Sequence, residues 1–196
     1  GIPPAALAGL RFLFGALTVW VGALFAGIPL RVPKSEWKGL GGLALLFALQ
    51  IWLLNAGTEH TTASRSGVVV NIYPFSTALF AHLLVGDRLG PGKWLGLGFS
   101  FMGVVLLFWE SVSFAETGYL LGDAMVALSG ILLGLRQVVI KRLVQGLNPY
   151  QVLLWQALLS LPLFAAWSAF FEADFEYNFS AAVVAGLLYQ GIAVAG

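Results

Sequence analysis

Charge is scarce in this 196-residue chain, and cysteine is absent. Only 10% of the residues are Asp, Glu, Lys or Arg, whereas a soluble domain carries about 25%. A soluble globular core is thereby excluded. The net charge of +1 leaves no electrostatic footprint for nucleic acid. Without cysteine there is no disulfide and no thiolate metal site. The two histidines form no H-E-x-x-H pattern, and no G-x-S-G or paired D-x-x-D is found. Clustered metal ligands and a nucleophile with its base are therefore missing, and neither an enzyme nor a cofactor is expected. What the chain has in plenty is apolar: 59% hydrophobic residues and 24 glycines, with a mean hydropathy of +0.89.

The apolar residues fall into segments near 4–28, 39–57, 63–85, 92–109, 119–140, 149–171 and 180–196. Each approaches the roughly 20 residues that a helix needs to cross a hydrocarbon layer about 30 Å thick. The fold class expected is therefore all-α, a polytopic helical membrane protein with the lipid bilayer as its first partner. Glycine at this level fits helices that pack backbone to backbone in lipid. The lysines Lys34, Lys38, Lys93 and Lys141 all stand at segment boundaries. A seven-helix photoreceptor, which needs a Schiff-base lysine inside a helix, is thus excluded. G-x-x-x-G pairs at Gly92/Gly96, Gly118/Gly122 and Gly130/Gly134 fit bundle packing or a homodimer.

Arg31, Lys34 and Lys38, then Arg88 and Lys93, then Lys141 and Arg142 mark alternate loops, and Glu110, Glu116, Asp123, Glu172, Asp174 and Glu176 mark others. The positive-inside rule places the basic loops in the cytoplasm, so the first segment runs from outside to inside. The chain starts at Gly1 without Met and ends at Gly196 inside an apolar run. Further helices are expected at both ends.

The segments 4–28 and 149–171 start alike. Pro4 precedes Arg11 by seven residues, and Pro149 precedes Gln156 by seven. Proline is tolerated in a first helical turn, and each polar residue then lies about two turns in. The two helices are five spans apart, which relates them by inverted topology, a frequent transporter architecture.

The stretch Ala56-Gly57-Thr58-Glu59-His60-Thr61-Thr62-Ala63-Ser64 resembles the helix-turn-helix of EamA-type drug/metabolite transporters, as do Gly86-Asp87-Arg88-Leu89, Lys93-Trp94-Leu95-Gly96, Gly103-Val104-Val105-Leu106-Leu107, Arg11-Phe12 and Lys141-Arg142-Leu143. The resemblance implies an inverted five-plus-five helix repeat, truncated here at both ends. Residues 1–112 then form the first repeat without its first helix, and 113–196 begin the second. It also implies export of small organic metabolites such as amino acids or drugs across a cytoplasmic (plasma) membrane. His60, Asp87 and Arg136 depart from the family pattern.

The 63–85 segment has the most informative face. At about 100° per residue Ser64, Gly67, Asn71, Pro74, Ala78 and His82 share one stripe. Pro74 cannot donate to the carbonyl of Val70 and should bend the helix. The stripe fits a cavity-lining face or a small-residue packing face with Asn71 bonded to a neighbouring helix. Gln50, Trp155, Gln156, Tyr189 and Gln190 add neutral hydrogen-bonding groups and aromatic faces suited to a small polar solute, or to interhelical bonds. Arg136, five residues before Lys141, is expected to snorkel to the cytoplasmic headgroups. The other reading makes it an anion-binding group. Asn71, Pro74, Gln50, His82, Trp155, Gln156, Tyr189, Gln190 and Arg136 are the candidate substrate-binding residues. The competing functions are a membrane sensor or structural protein without flux, and an organic-anion or sugar-phosphate carrier.

Overall fold

The computed structural model describes residues 3–87, 90–107, 117–172, 185–186 and 189. Seven α-helices are found among them: α1 Pro4–Phe25, α2 Trp37–Glu59, α3 Ala63–Val70, α4 Tyr73–Phe80, α5 Pro91–Leu107, α6 Leu120–Leu143 and α7 Pro149–Phe171. Five stretches are long and apolar enough to cross a membrane: Ala5–Phe25, Lys34–Glu59, Ala63–Val85, Leu120–Leu143 and Pro149–Phe170. They match five of the seven expected segments. Helix α5 has 17 residues, and most of 180–196 lies outside the described residues, as do Glu110, Glu116, Asp174 and Glu176. Large apolar side chains point outward, Phe25 at 90% and Phe170 at 82% exposure, as a lipid-facing surface requires.

The helices group into two compact units, Gly1–Ala48 with Ile140–Gly196 and Leu49–Val139. In the first, α1 and α7 run antiparallel. Gly9 faces Phe164 at one end and Gly22 faces Tyr150 at the other. Phe12, Phe47 and Phe164 form the core, with Phe12 edge-on to Phe47 at 4.5 Å and stacked on Phe164 at 5.8 Å between centroids. Such aromatic pairs contribute about 0.5–1.5 kcal/mol beyond their burial.

The ends of α1 are closed in two different ways. Gly27 takes φ +65°, and Ile28 N–H donates to Ala23 O at 2.9 Å, a left-handed stop that favours glycine. At the start, Pro3 and Pro4 offer no capping side chain. The buried Glu172 after α7 supplies the acceptor instead, taking Ala5 N–H at 2.7 Å and Ala6 N–H at 3.2 Å. A carboxylate there also complements the positive end of the helix dipole.

Helix α7 opens on a capping box. Asn148 Oδ1 accepts from Tyr150 N–H at 3.0 Å, and Gln151 Oε1 accepts from Asn148 N–H at 2.9 Å. The other end of the Gln151 amide donates to the carbonyls of Pro29 and Arg31 at 2.8 and 2.7 Å. One buried side chain thus caps α7 and pins the loop that follows α1.

In the second unit, α6 is the shared neighbour. Against α2 it runs antiparallel, with Gly57 beside Gly122 and Gln50 beside Ser129. Along the 63–85 segment it runs parallel. Arg65 meets Asp123, Ile72 meets Gly130 and Ser76 meets Gly134, each partner number differing by 58. The expected bend at Pro74 is a full break between α3 and α4. Asn71 and Ile72 close tight turns on Val68 and Val69 at 3.1 and 3.2 Å. The segment ends in a π-helical turn, Ala81–Val85, stopped by Gly86 at φ +73°.

Candidate functional site

The break and α6 bring together the polar residues of the second unit. Gln50, in the middle of α2, is fully buried. Its Nε2 donates to Ser129 Oγ at 3.2 Å, and Ser129 Oγ donates to the Gln50 main-chain carbonyl at 2.9 Å. Its Oε1 accepts from Arg136 Nη1 at 3.0 Å. By the 58-residue register, Asn71 stands level with Ser129. Gln50, Ser129 and the α3–α4 break therefore share one depth, and Arg136 reaches toward it.

The structure corrects the snorkelling expected of Arg136. A helical Cα–Cβ bond leans toward the helix N-terminus. Arg136 thus leans away from Lys141 and toward Ser129. Gln50, on an antiparallel helix, leans toward it. A hydrogen bond to a charged group is worth roughly 1.5–3 kcal/mol, against roughly 2.5–3.5 kcal/mol for placing Arg inside a bilayer. Gln50 offsets much of that cost.

Asn71 follows neither of its two expected readings. Its Nδ2 donates to Gly67 O of its own helix at 2.5 Å, so it fastens the end of α3. Pro74 is the second residue of α4. Val70, whose carbonyl Pro74 leaves without an in-helix donor, turns its oxygen toward α6, 2.9 Å from where a Gly130 Cβ would stand. His82 is exposed in the π-helical turn.

Trp155 and Gln156 belong to the first unit. Trp155 is an anchor: its Nε1 donates to Leu30 O at 3.0 Å, and its ring meets Trp37 edge-on at 4.8 Å. That use of its polar edge corrects the expected role as a solute-facing ring. Gln156 is buried, and its Oε1 has no partner among the described residues. The same holds for Nε of Arg11, its counterpart seven residues after a proline, whose guanidinium lies 4.8 Å from the Phe12 ring centre. Tyr189 is 68% exposed, and Gln190 lies outside the described residues.

A second polar cluster was not anticipated from sequence. Arg65 Nε donates to Asp123 Oδ1 at 3.3 Å, and Nη2 pairs with Oδ2. Thr61 Oγ1 donates to the same carboxylate at 2.7 Å, and Tyr119 lies 5.2 Å from the guanidinium. Arg65 is buried and Asp123 partly so. Together they tie the start of α3 to the start of α6. No group of three or more His, Cys, Asp or Glu that could hold a metal is found among the described residues.

Apolar helices with outward Phe and Leu, an inward polar network and a broken helix at mid-span define a polytopic helical membrane protein. The EamA-like transporter family matches residues 1–109, more than half of the chain, and the chain belongs to that family. It is similar to "Uncharacterized transporter YoaV" of Bacillus subtilis (strain 168), 21% identical over 196 residues, which are 100% of this chain and 67% of that protein. "Uncharacterized transporter YdeK" of the same organism is 32% identical over 133 residues, 68% of this chain and 43% of that protein. An "Uncharacterized transporter" of Archaeoglobus fulgidus is 31% identical over 140 residues, 67% of this chain and 45% of that protein. A solved crystal structure shares the fold at 22% identity and a TM-score of 0.81, over 98% of this chain and 66% of that one. The matches thus span between under half and about two thirds of these proteins' lengths.

Proposed function

We infer that the chain is part of a secondary transporter that moves small organic metabolites by alternating access, in the export direction, across a cytoplasmic membrane. Family membership and the transporter names of its relatives support the class. The observation that carries the mechanism is the α3–α4 break, level with the Gln50–Ser129 bond inside the spans. Transporters place their sites where helices are interrupted near mid-membrane, and polar groups at that depth tend to be functional. The break is the hinge, and Asn71 and Pro74 flank the solute path. The division into repeats 1–112 and 113–196, related by inversion, belongs to this proposal.

The test is Asn71→Leu in the full-length protein. Transport of the accumulated metabolites should fall severalfold, while folded yield and thermal midpoint stay near wild type, because the Asn71 side chain bonds only its own helix among the contacts found. Flux that declines only in proportion to folded protein would refute the assignment.

A further inference from the structure

The two ends of the Gln50 side-chain amide are used in opposite directions, and that bears on what the site takes up. The closed ring with Ser129 fixes Nε2, so Oε1 can only face Arg136. A flipped amide would set N–H against a guanidinium N–H. Gln50 and Ser129 are 2% and 0% exposed, whereas Arg136 is only partly buried. Three residues thus hold one planar cation at a defined place, near the depth of the helix break. Joining α6 to α2 does not need a cation: Gln or Ser at 136 would do it without carrying charge into an apolar layer. The carboxylates on the described helices of this unit stand at the other end. Glu59 closes α2, and Asp123, held by Arg65 and Thr61, is about 20 Å of helix from Arg136.

We propose that Arg136, positioned by Gln50 and Ser129, binds an oxyanion of the transported solute, a carboxylate first of all. This rests on the transport reading above and narrows it to anionic and zwitterionic organic solutes. A guanidinium stays charged, is planar, and matches a carboxylate with two parallel N–H bonds. Low polarity around the site strengthens that pairing.

The experiment measures thermal shifts of the full-length protein in detergent. The probes are acids paired with their own amides: leucine with leucinamide, succinate with succinamide, benzoate with benzamide, and inorganic phosphate beside them. At least one acid should raise the midpoint while its amide does not. Arg136→Gln should weaken that acid roughly ten- to hundredfold, the worth of a hydrogen bond to a charged group, and Arg136→Lys should restore part of it. Gln50→Glu is nearly isosteric and fills the guanidinium fork from within. It should leave the ligand-free midpoint equal or higher while the acid's shift disappears, which separates loss of the site from loss of folding. Equal shifts by acid and amide overturn the proposal, as do an undiminished shift in Arg136→Gln and the absence of any acid shift. A shift produced by phosphatidylglycerol in place of the acids also overturns it, because the anion is then a lipid headgroup. An acid that binds but does not cross proteoliposomes removes the transport reading and leaves the binding site. Flux of neutral solutes without acid binding does the reverse.

Discussion

One methyl group at Gly134 tests how closely α6 is held against α4. A Cβ built there meets Ser76 Cβ at 2.5 Å, Thr77 N at 2.6 Å and Ser76 C at 2.8 Å. Two of these are backbone atoms, so no change of rotamer relieves the overlap and a helix must move. Overpacking costs about 1–3 kcal/mol, and contact with backbone puts Gly134→Ala near the upper end. Alanine returns roughly 0.8–1 kcal/mol through its helix propensity. The net loss is about 2 kcal/mol. Gly98 of α5 is the control, because nothing lies within 4 Å of its Cβ position. Gly98→Ala should show the propensity gain alone, up to about 1 kcal/mol. The two variants of the full-length protein should therefore bracket wild type in reversible SDS or thermal unfolding, about 3 kcal/mol apart. A Gly134→Ala protein as stable as wild type would refute the close approach of α6 to α4, and with it the register that sets Asn71 level with Ser129.

Asp123→Asn should cost about 3–5 kcal/mol, because it leaves the buried Arg65 guanidinium without its charge partner. The double change Arg65→Met with Asp123→Leu should cost less than the single one when both are unfolded under the same conditions, and a larger loss in the double variant would contradict a buried ion pair. Glu172→Gln keeps one acceptor for the first turn of α1 but loses the second and the charge. Amide hydrogen exchange at Ala5 and Ala6 should accelerate about five- to thirtyfold, corresponding to roughly 1–2 kcal/mol. Unchanged protection there would show that another group caps the helix.

The spans and the interruption near Pro74 were legible in the sequence because their causes are local. Twenty apolar residues need a helix, and a proline withholds one N–H. The site was legible as a set of residues and not as an arrangement. Arg136 finds Gln50 across 86 positions, Arg65 finds Asp123 across 58, and Ala5 finds Glu172 across 167. No periodicity encodes such pairs. Two signals were nevertheless present. The backward lean of helical side chains sends Arg136 away from Lys141, which already opposes snorkelling. The Pro3-Pro4 start of α1 has no side chain able to cap it, so a distant acceptor was required. Trp155 misled for a different reason: an indole has an apolar body and one polar edge, and sequence does not say whether a solute or a loop carbonyl takes that edge.

Helix α6 explains why a break inside the apolar layer is tolerated. Its Ser129 serves α2, while Gly130 and Gly134 lie against the 63–85 segment. A carbonyl freed within a membrane costs several kcal/mol if nothing approaches it. The Val70 oxygen reaches to 2.9 Å from the Cβ position of Gly130, a place that any larger residue would occupy. There a glycine Cα–H can approach the oxygen, a contact worth perhaps 0.5–1 kcal/mol. That is less than an N–H bond would give, so the break is held at some cost by close packing and not by a replacement donor. A donor from a solute or from water would bind the Val70 carbonyl more strongly than glycine does. The hinge is thus stable enough to persist and weakly enough satisfied to respond to what enters beside it.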